Sequence, residues 1–488
     1  MATYYVSTNG SDSASGSASS PWRTISKAMK ANLKSGDEVV VRSGTYKEGV
    51  TIVKDGITLR SEVPGGAKID PPSGKLGINI NADHVKVKGF EIFGSTTAGI
   101  TGSGVHHVQV LDNIVHDNKG NGIFFMKSDF ITVDGNVVYD NASIGGRSGI
   151  SILWPDAISG GGSGYRIIIR NNVSHHNQNE SGRHTDGAGI ILDDFNTSKN
   201  SKLPAYKFPT LVENNLVYQN GGAGIMIYES SNATVRGNTA WQNQMDNHSS
   251  KGMWRTELQT QAADNIDWID NIAIANPHIN KHNAAIGNFG FGGDKNSGIT
   301  WRDNFTYNGK SGDHSVSTNN GNSGPSAKEN KLGVNPGLDF ADIKALAAKI
   351  GGLPSSFSAS AAADTLALET DTLADKAASG VAQDGASGAD DFVFASVATA
   401  GKGGQRDVIG DFSRAQGDDI DLSGIDANIK VSGNQAFSFI GSEAFSGKAG
   451  QLRYKDGIAA GDVDGDKMAD FHIEIANNHA LGAGDFLL

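Results

Sequence analysis

The sequence predicts an all-β protein: a right-handed parallel β-helix with a helical cap at its N-terminal end, followed by a small β-rich domain. Three observations support this prediction. A short motif recurs along residues 108–308, the spacing of its copies fits one coil of a solenoid, and the composition changes after residue 353. Recurrence at a fixed period is typical of architectures in which each unit buries its apolar face against its neighbours.

Each copy of the motif is an apolar alternation that ends in asparagine, and a second asparagine usually follows five residues later. The first column contains Asn113, Asn136, Asn172, Asn215, Asn238, Asn271 and Asn304. The second contains Asn118, Asn141, Asn177, Asn220, Asn243 and Asn276, after which the match slips to Asn308. The shortest steps are 23 residues, one coil of short period-2 strands stacked in register. Because asparagine suits turns, we interpret both columns as structural.

The N-terminal segment predicts the cap. Residues 24–33 form a short amphipathic pattern, and a helix here would cover the open end of a solenoid. It lies between Pro21-Trp22-Arg23-Thr24-Ile25 and Gly36-Asp37-Glu38-Val39-Val40-Val41, which Gly44-Thr45-Tyr46 follows. This order resembles the first segment of secreted, pectate-lyase-like β-helix polysaccharide lyases and related glycanases. With the coils, the resemblance covers roughly the first 310 residues and implies a polysaccharide substrate.

The chain divides at its composition changes into a β-helix catalytic domain (1–353), a Ser/Ala/Asp-rich linker (354–387) and a second domain (388–488). The second domain contains Gly388-Ala389-Asp390-Asp391-Phe392-Val393-Phe394, Gly417-Asp418-Asp419-Ile420-Asp421-Leu422 and a final Asp485-Phe486-Leu487-Leu488. It resembles the C-terminal domain of serralysin-type proteins, which implies export by type I secretion machinery through a C-terminal signal. Tandem Gly-Gly-x-Gly-x-Asp nonapeptides are missing, which puts calcium-triggered folding of a β-roll in doubt.

Charge and composition exclude several classes. The formal net charge is −12, and residues 354–488 carry all of it, with 21 acidic and 9 basic residues against 32 of each before them. Without a basic footprint, nucleic acid is not an expected partner. The chain has no cysteine, no Sec-type signal peptide and no apolar run long enough to cross a membrane, so we expect no membrane insertion. A secreted, extracellular location is what the serralysin-type resemblance implies. The oligomeric state is not readable from the sequence.

Two coils are longer than the rest. The step from Asn136 to Asn172 is 36 residues and the step from Asn172 to Asn215 is 43 residues. Insertions near 143–165 and 178–208 therefore project from the helix, and such loops usually turn one face of a solenoid into a binding groove.

A recurring Gly-Ile step aligns one strand of successive coils, at Gly122, Gly149, Gly189, Gly224 and, less closely, Gly252. Counting four residues onward from the apolar residue gives one predicted column: Lys127, Trp154, Asp194, Glu229 and Glu257. Counting three gives a second column: Met126, Leu153, Asp193, Tyr228 and Thr256. Aligned like charges destabilise a sheet unless something uses them, so the acidic residues predict a catalytic carboxylate set or a calcium site.

Two chemistries suit these columns. In β-elimination a base takes the C5 proton of a uronate, a cation or donor neutralises its carboxylate, and the leaving oxygen is protonated. The candidates are Lys127, His184, Tyr228, Arg255 and Glu257 among the acid–base groups, with Asp193, Asp194 or Glu229 holding Ca²⁺. In hydrolysis Asp194 and Glu229 would act as the paired carboxyls. Outward solvated carboxylates are the alternative without function.

Further candidates bind rather than react. Trp154, Asp156 and Trp254 are predicted to contact sugar rings. In the second domain Asp462, Asp464, Asp466 and Asp470 alternate as Ca²⁺ ligands do, although an acidic turn explains them equally well. Zinc is not expected, because the chain has neither cysteine nor a His-Glu-x-x-His pattern.

The sequence therefore predicts a secreted, endo-acting lyase that cleaves an acidic polysaccharide. A glycoside hydrolase that uses paired carboxylates is the alternative. A uronan C5-epimerase is less favoured, because the nearest match to the epimerase motif reads Leu153-Trp154-Pro155-Asp156. A non-catalytic adhesin that binds polysaccharide is the hypothesis from another class.

Overall fold

Three long parallel sheets form the first part of the chain in the computed structural model. The structure describes residues 1–158, 164–182, 184–196, 204–246, 256–277, 283–290 and 295–350. Beyond residue 350 it describes 371–374, 382–383, 390–394, 396–397, 402, 406–409, 412–414, 418–431, 434–475 and 481–487. The chain separates into two compact units, Met1–Leu338 with Lys344–Pro354, and Asp339–Ile343 with Ser355–Leu488. The predicted linker lies mostly outside the described residues, so the domain boundaries stay predictions.

In chain order the elements of residues 1–350 are β1 (Thr3–Val6), α1 (Ile25–Lys30), β2 (Glu38–Val41), β3 (Gly44–Tyr46), β4 (Val50–Ile52), β5 (Thr58–Ser61), β6 (Ala67–Ile69), β7 (Ile78–Ile80), β8 (Lys86–Lys88), β9 (Glu91–Phe93), β10 (Ile100–Ser103), β11 (His106–Leu111), β12 (Ile114–His116), β13 (Ile123–Met126), β14 (Asp129–Asp134), β15 (Val137–Tyr139), β16 (Ile150–Leu153), β17 (Ile167–Arg170), β18 (Val173–His175), β19 (Ile190–Asp193), β20 (Thr210–Glu213), β21 (Leu216–Tyr218), β22 (Ile225–Tyr228), β23 (Ser231–Arg236), β24 (Thr239–Trp241), β25 (Thr256–Gln261), β26 (Asp264–Ile269), β27 (Ile272–Ile274), β28 (Ala284–Phe289), β29 (Ser297–Arg302), β30 (Phe305–Tyr307), β31 (Val316–Thr318), β32 (Lys331–Leu332) and α2 (Phe340–Ile350).

Each coil contributes one strand to each sheet, as the predicted right-handed parallel β-helix requires. Sheet 1 has the order β1-β2-β5-β8-β11-β14-β17-β20-β23-β26-β29, sheet 2 the order β31-β28-β25-β22-β19-β16-β13-β10-β7-β4, and sheet 3 the order β3-β6-β9-β12-β15-β18-β21-β24-β27-β30-β32. The strands alternate inward apolar and outward residues, so the core is a stack of Val and Ile side chains such as Ile123, Ile150, Ile190 and Ile225. The described helices include none that is long and apolar enough to span a membrane.

Buried asparagines join the coils to one another in two ladders, as the sequence predicts. In the first ladder the side-chain oxygen of Asn136 accepts bonds from the backbone N of Asn113 (3.0 Å) and from its Nδ2 (3.1 Å). The Nδ2 of Asn136 also donates to the carbonyl of Val110 at 2.9 Å. The side-chain oxygen and the amide group of Asn136 thereby both have partners, which is the condition for burying them. The same bonds repeat along Asn113, Asn136, Asn172, Asn215, Asn238, Asn271, Asn304 and Asn330.

The second ladder explains the recurring glycines. It runs through Asn118, Asn141, Asn177, Asn220 and Asn243. A Cβ on Gly224 would lie 2.8 Å from Nδ2 of Asn243, and a Cβ on Gly189 would lie equally close to Nδ2 of Asn220. Glycine therefore stands wherever the strand of sheet 2 passes a ladder asparagine, because no side chain fits there.

The cap helix is shorter than predicted, at α1 (Ile25–Lys30) rather than residues 24–33. Thr24 is its N-cap and accepts a bond from the backbone N of Lys27. Ile25 and Met29 are buried in the same apolar cluster as the first coils. The helix thus covers inward side chains that would otherwise meet water at the N-terminal end.

Both insertions are attached to one buried carboxylate. Asp129 binds Nη1 of Arg166 at 2.7 Å through one oxygen and accepts the hydroxyl of Tyr206 at 2.5 Å through the other. The guanidinium carbon of Arg166 lies 3.3 Å from the ring centre of Phe208. Arg166 follows the first insertion and Tyr206 ends the second, so the two loops share one anchor on an earlier coil.

The second unit is a smaller β structure. Its strands are β33 (Asp371–Ala374), β34 (Ala382–Gln383), β35 (Asp390–Val393), β36 (Asp407–Ile409), β37 (Asp419–Asp421), β38 (Ser438–Phe439), β39 (Gln451–Lys455), β40 (Ile458–Asp462), β41 (Phe471–Ile475) and β42 (Phe486–Leu487), with a 3₁₀ turn at Ala483–Asp485. They form a four-stranded sheet, β33-β35-β37-β42, and a six-stranded sheet, β34-β36-β41-β40-β39-β38. The chain's last strand therefore pairs in parallel with β37, and Phe486 is buried.

We expect Asn215→Ala to destabilise the first unit by about 2–5 kcal/mol, because a buried polar group left without a partner costs about 1–3 kcal/mol. The substitution removes the acceptor of two Asn172 donors and the donor to the Ile169 carbonyl. Urea unfolding measures the loss. The matched control is Asn81→Ala, whose exposed side chain makes no bond among the described residues. Equal midpoints for the two variants would contradict the ladder's role.

Candidate functional site

The turns that lead from sheet 2 into sheet 1 bring the predicted columns together. Across β13, β16, β19 and β22 the register aligns Met126, Leu153, Asp193 and Tyr228. The next residue of each coil has a left-handed backbone, with φ of 50° at Lys127, 49° at Trp154, 57° at Asp194 and 43° at Glu229. Stacked coils hold this less favoured conformation on every rung, so these four side chains lie on successive coils as predicted.

Asp194 and Glu229 form a hydrogen-bonded carboxyl pair on neighbouring coils. Burial and the adjacent Asp194 raise the pKa of Glu229. The hydroxyl of Tyr228 is also hydrogen-bonded to Glu229, and burial followed by that carboxylate's charge raises the pKa of Tyr228. On its other side Asp194 accepts a bond from the indole Nε1 of Trp154 at 2.7 Å. Two adjacent carboxyls with a hydrogen-bond donor at each end, Tyr228 and Trp154, form an arrangement suited to acid–base chemistry.

Asp193 adds a third carboxyl to the same face. Burial, and then the charges of Asp186, Asp194 and Glu229, raise the pKa of Asp193 well above its usual range. Burial also raises the pKa of Asp186 to about 6, although Arg147 opposes that shift. The pKa values of Asp186, Asp193 and Glu229 are thus all raised, which favours the protonated forms of these acids.

Small apolar residues line the face beside these carboxyls. Ile191 and Met226 point away from the core by strand alternation and pack with Ala188, Ala223 and the ring of Tyr228. Mixed apolar and polar lining is what small-molecule and sugar sites usually have.

His184 lies at the margin of this face. Its Nδ1 is 2.6 Å from Oδ2 of Asp246, a carboxylate whose side chain is 1% exposed. His184 is two residues before Asp186, whose charge reaches Asp193. A carboxylate hydrogen-bonded to an imidazole fixes the orientation and the tautomer of the ring, so Asp246 holds the ring of His184 in one orientation.

The remaining predicted residues are less well placed. Lys127 and Asp156 are exposed, and neither makes a side-chain bond among the described residues. Trp254 and Arg255 lie outside the described residues. Of the predicted cations Lys127 and Arg255, only Lys127 is therefore among the residues that the structure describes at this face.

Glu257 does not belong to the acidic column, and the prediction that aligned it was wrong. Leu258, not Met253, pairs with Ile225, so Glu257 stands at the glycine position of its coil and Gln261, not Thr256, aligns with Tyr228. Its side chain is 0% exposed and accepts bonds from Nδ2 of Asn243 (2.6 Å) and of Asn283 (3.0 Å). It ends the second ladder in place of an asparagine.

One spacing in the sequence identifies this register. Thirteen residues separate Ile123 from Asn136 and Ile225 from Asn238, and the same spacing counted back from Asn271 reaches Leu258. The Gly-Ile step misled the alignment because the coil of β25 has no glycine there. Asp186 and Asp246, which sequence reasoning also missed, carry no comparable signal.

The carboxylates of this face bear on the calcium prediction, which stays a prediction. Carboxylate oxygens are the donors that Ca²⁺ prefers. Asp193, Asp194 and Glu229, however, do not form one of the sets of three ligand atoms within 4.8 Å of one another found among the described residues. The donor chemistry fits calcium, and the side-chain positions do not yet converge on one ion.

In the second unit three of the four predicted carboxylates converge, Asp462, Asp464 and Asp470, and Asp466 is not part of that set. These carboxylates also bind their own loop: Asp462 accepts the backbone N of Gly465 at 2.6 Å, and Asp470 accepts that of Val463 at 2.7 Å. The acidic turn is therefore satisfied by backbone donors.

Comparisons with known proteins agree with the fold. Residues 4–150 match a family described as Pel9A-like, right handed beta helix region. No curated protein sequence matches the chain. Similar solved structures include pectate lyase Pel9A, with 16% identity over 68% of this chain and 79% of that chain and a TM-score of 0.40. An alginate lyase from Paenibacillus sp. str. FPU-7 has 18% identity over 68% and 99%, with a TM-score of 0.41.

XylC in complex with xylose is 12% identical over 65% of this chain and 70% of that chain, with a TM-score of 0.45. At identities this low the likeness concerns the fold, a right-handed parallel β-helix.

We predict that Glu257→Gln removes a pH dependence of stability. Burial raises the pKa of Glu257 to about 7 from an ordinary 4.5, against bonds from Asn243 and Asn283 that favour the ionised form. Between pH 4.5 and about 7 the folded protein therefore keeps a proton on Glu257 that the unfolded chain releases. The free energy of unfolding falls as the pH rises through this window, by roughly 3 kcal/mol.

Urea unfolding at several pH values across this window measures the effect. Glu329→Gln, at an exposed position, is the control and should leave the slope unchanged. An equal slope in wild type and Glu257→Gln would show that Glu257 does not titrate with folding.

Proposed function

We propose that this protein is an endo-acting lyase that cleaves an acidic polysaccharide lying along the outer face of sheet 2. The observation that carries the proposal is the hydrogen-bonded set of Asp194, Tyr228 and Glu229 on two adjacent coils. This face groups acids of raised pKa beside apolar residues, and two anchored insertions accompany it. Such a combination is typical of a catalytic groove. Its relatives in fold include proteins named as pectate and alginate lyases.

The proton movements of β-elimination can be assigned to these residues. The base takes the C5 proton, the C4–O bond breaks as the C4=C5 double bond forms, and the leaving oxygen receives a proton. The ionised member of the Asp194 and Glu229 pair is the base. Tyr228 keeps its proton because its pKa is raised, so it is the group that protonates the leaving oxygen.

A uronate substrate brings its own negative charge, and this groove must tolerate it. The raised pKa values of Asp193 and Glu229 reduce the number of fixed charges that would repel the sugar carboxylate. Without Ca²⁺, a protonated Asp193 would donate a hydrogen bond to the sugar carboxylate, and with Ca²⁺ bound the ionised Asp193 would be a ligand instead. Lys127, one coil before Trp154, supplies positive charge at the same edge, and Arg255 is proposed for the same role.

Calcium remains part of the proposal as a partner of the substrate. Asp193, with Asp194 or Glu229, would hold the ion, and bound Ca²⁺ would neutralise the uronate carboxylate. Because these three side chains do not converge by themselves, we propose that sugar oxygens complete the coordination.

Hydrolysis is the second candidate, favoured by the bond from Trp154 to Asp194. The indole N–H gives Asp194 a hydrogen-bond donor, while the raised pKa of Glu229 favours a protonated partner. An ionised carboxylate beside a protonated one is the acid and nucleophile pair of retaining glycosidases.

We also propose that Trp154, Asp156 and Trp254 contact the substrate.

We propose further that type I machinery exports the protein, with the signal in residues 388–488. The support for export is the sequence pattern of the second domain and its acidity. Secretion of the full chain and of a chain ending before residue 388, compared in cells that carry such an exporter, is the deciding measurement.

The first test follows the products. Purified protein incubated with pectate, alginate and acidic bacterial exopolysaccharides should lower viscosity early and raise the ultraviolet absorbance of unsaturated uronate. Loss of both signals with EDTA, and recovery with Ca²⁺, would support the calcium proposal. Falling viscosity with flat absorbance would contradict elimination and favour hydrolysis.

The second test separates catalysis from binding. Tyr228→Phe and Glu229→Gln should each lower kcat by about 10²–10⁴-fold, the usual contribution of a positioned acid or base, while polysaccharide affinity stays within a few fold. Tyr307→Phe and Glu213→Gln, on sheets 3 and 1, make the same chemical changes away from the groove. Binding without turnover in every form, wild type included, would identify a non-catalytic adhesin.

A further inference from the structure

Three histidines meet on two successive coils where sheet 2 turns into sheet 1. His84 precedes β8, and His106 and His107 open β11 on the next coil. One ring nitrogen from each lies within 4.8 Å of the others. None of them belongs to the acidic face, which begins with later coils.

His106 is held by a carboxylate. Asp83 accepts the backbone N of His106 at 2.8 Å through Oδ1, and its Oδ2 lies 3.0 Å from Nε2 of the ring. With Nε2–H donating to Asp83, the lone pair of His106 is on Nδ1, which lies 3.0 Å from Nδ1 of His107. A carboxylate that fixes a histidine's tautomer from behind is the usual support of a metal-binding imidazole.

The other two rings are fixed by stacking. The imidazoles of His84 and His107 lie parallel, with centres 4.5 Å apart, and the ring of Phe130 stacks on His107 at 4.3 Å. The three imidazoles are thus ordered by neighbouring side chains, with one nitrogen of each within 4.8 Å of the others.

We propose that His84, His106 and His107 bind a single Zn²⁺ ion, with Asp83 as the residue that positions His106. Imidazole nitrogen selects zinc and related transition metals over calcium. In a tetrahedral site with Zn–N bonds of about 2.0–2.1 Å, ligand nitrogens stand ~3.3 Å apart, and the two Nδ1 atoms are already at 3.0 Å. Three histidines leave the fourth position to water or another ligand.

The site escapes sequence motifs because its ligands come from separate coils. His84 and His106 are 22 residues apart, one turn of the solenoid, whereas zinc motifs look for ligands a few residues apart on one helix or loop. Only the register of β8 and β11 brings them together.

Titration of the metal-free full-length protein with Zn²⁺ tests the proposal, in calcium excess so that acidic loops are already filled. Calorimetry should give one tight equivalent, and Co²⁺ in its place should give the visible absorption of a tetrahedral ion. His107→Gln should weaken binding at least 100-fold. Asp83→Asn should weaken it about 10–100-fold, the usual effect of losing a ligand's carboxylate support. His314→Gln, at an exposed histidine elsewhere, should bind as wild type does.

A second measurement uses only the wild-type protein, so that misfolding of a variant cannot affect its result. Zn²⁺ should protect His84, His106 and His107 of the wild-type protein from acylation by diethyl pyrocarbonate, read by peptide mass spectrometry, while His314 stays reactive. Equal modification of the three histidines with and without zinc would overturn the proposal. So would wild-type affinity in a folded His107→Gln variant.

Discussion

The in-register stacking of coils is the constraint on which the rest of this molecule depends. Inward asparagines at the turns make that stacking specific, because each side-chain oxygen accepts two donors from the neighbouring coil. A coil displaced by one residue would lose these bonds and would also turn its Val and Ile side chains outward. Buried polar groups here define position as much as they add stability.

The acidic face follows from this register. Asp194 and Glu229 are 35 residues apart in the chain, yet the ladders place them on adjacent coils. Each lies at a left-handed turn residue, so the backbone that positions them is the same on every coil. A rigid scaffold can keep like carboxyls close and partly protonated, which a flexible loop would relax by moving them apart.

The sequence predicted the fold well because its signals are periodic. Ladder asparagines, Gly-Ile steps and alternating strands repeat often enough to locate Lys127, Trp154, Asp194 and Glu229 on successive coils. The prediction failed where the repeat is interrupted. Glu257 was misaligned because its coil replaces the glycine, and the absence of Asp466 from the set of Asp462, Asp464 and Asp470 depends on a loop path that spacing does not encode.

Some groupings were beyond sequence reasoning for a physical reason. The approach of His184 to Asp246, and of His84 to His106 and His107, joins residues from different coils. These contacts depend on the conformation of the insertions and on which coils are adjacent in the stack. A linear pattern contains neither piece of information until the register is known.

The shared anchor at Asp129 limits how the groove can be altered. Arg166 and Tyr206 each use one oxygen of the same carboxylate, so the two insertions behave as one exchangeable part. Exchanging the first loop together with Arg166 for a loop without that arginine would leave the hydroxyl of Tyr206 beside a carboxylate without its cation. Loop exchange in this scaffold therefore has to move both insertions together with the coil that carries Asp129.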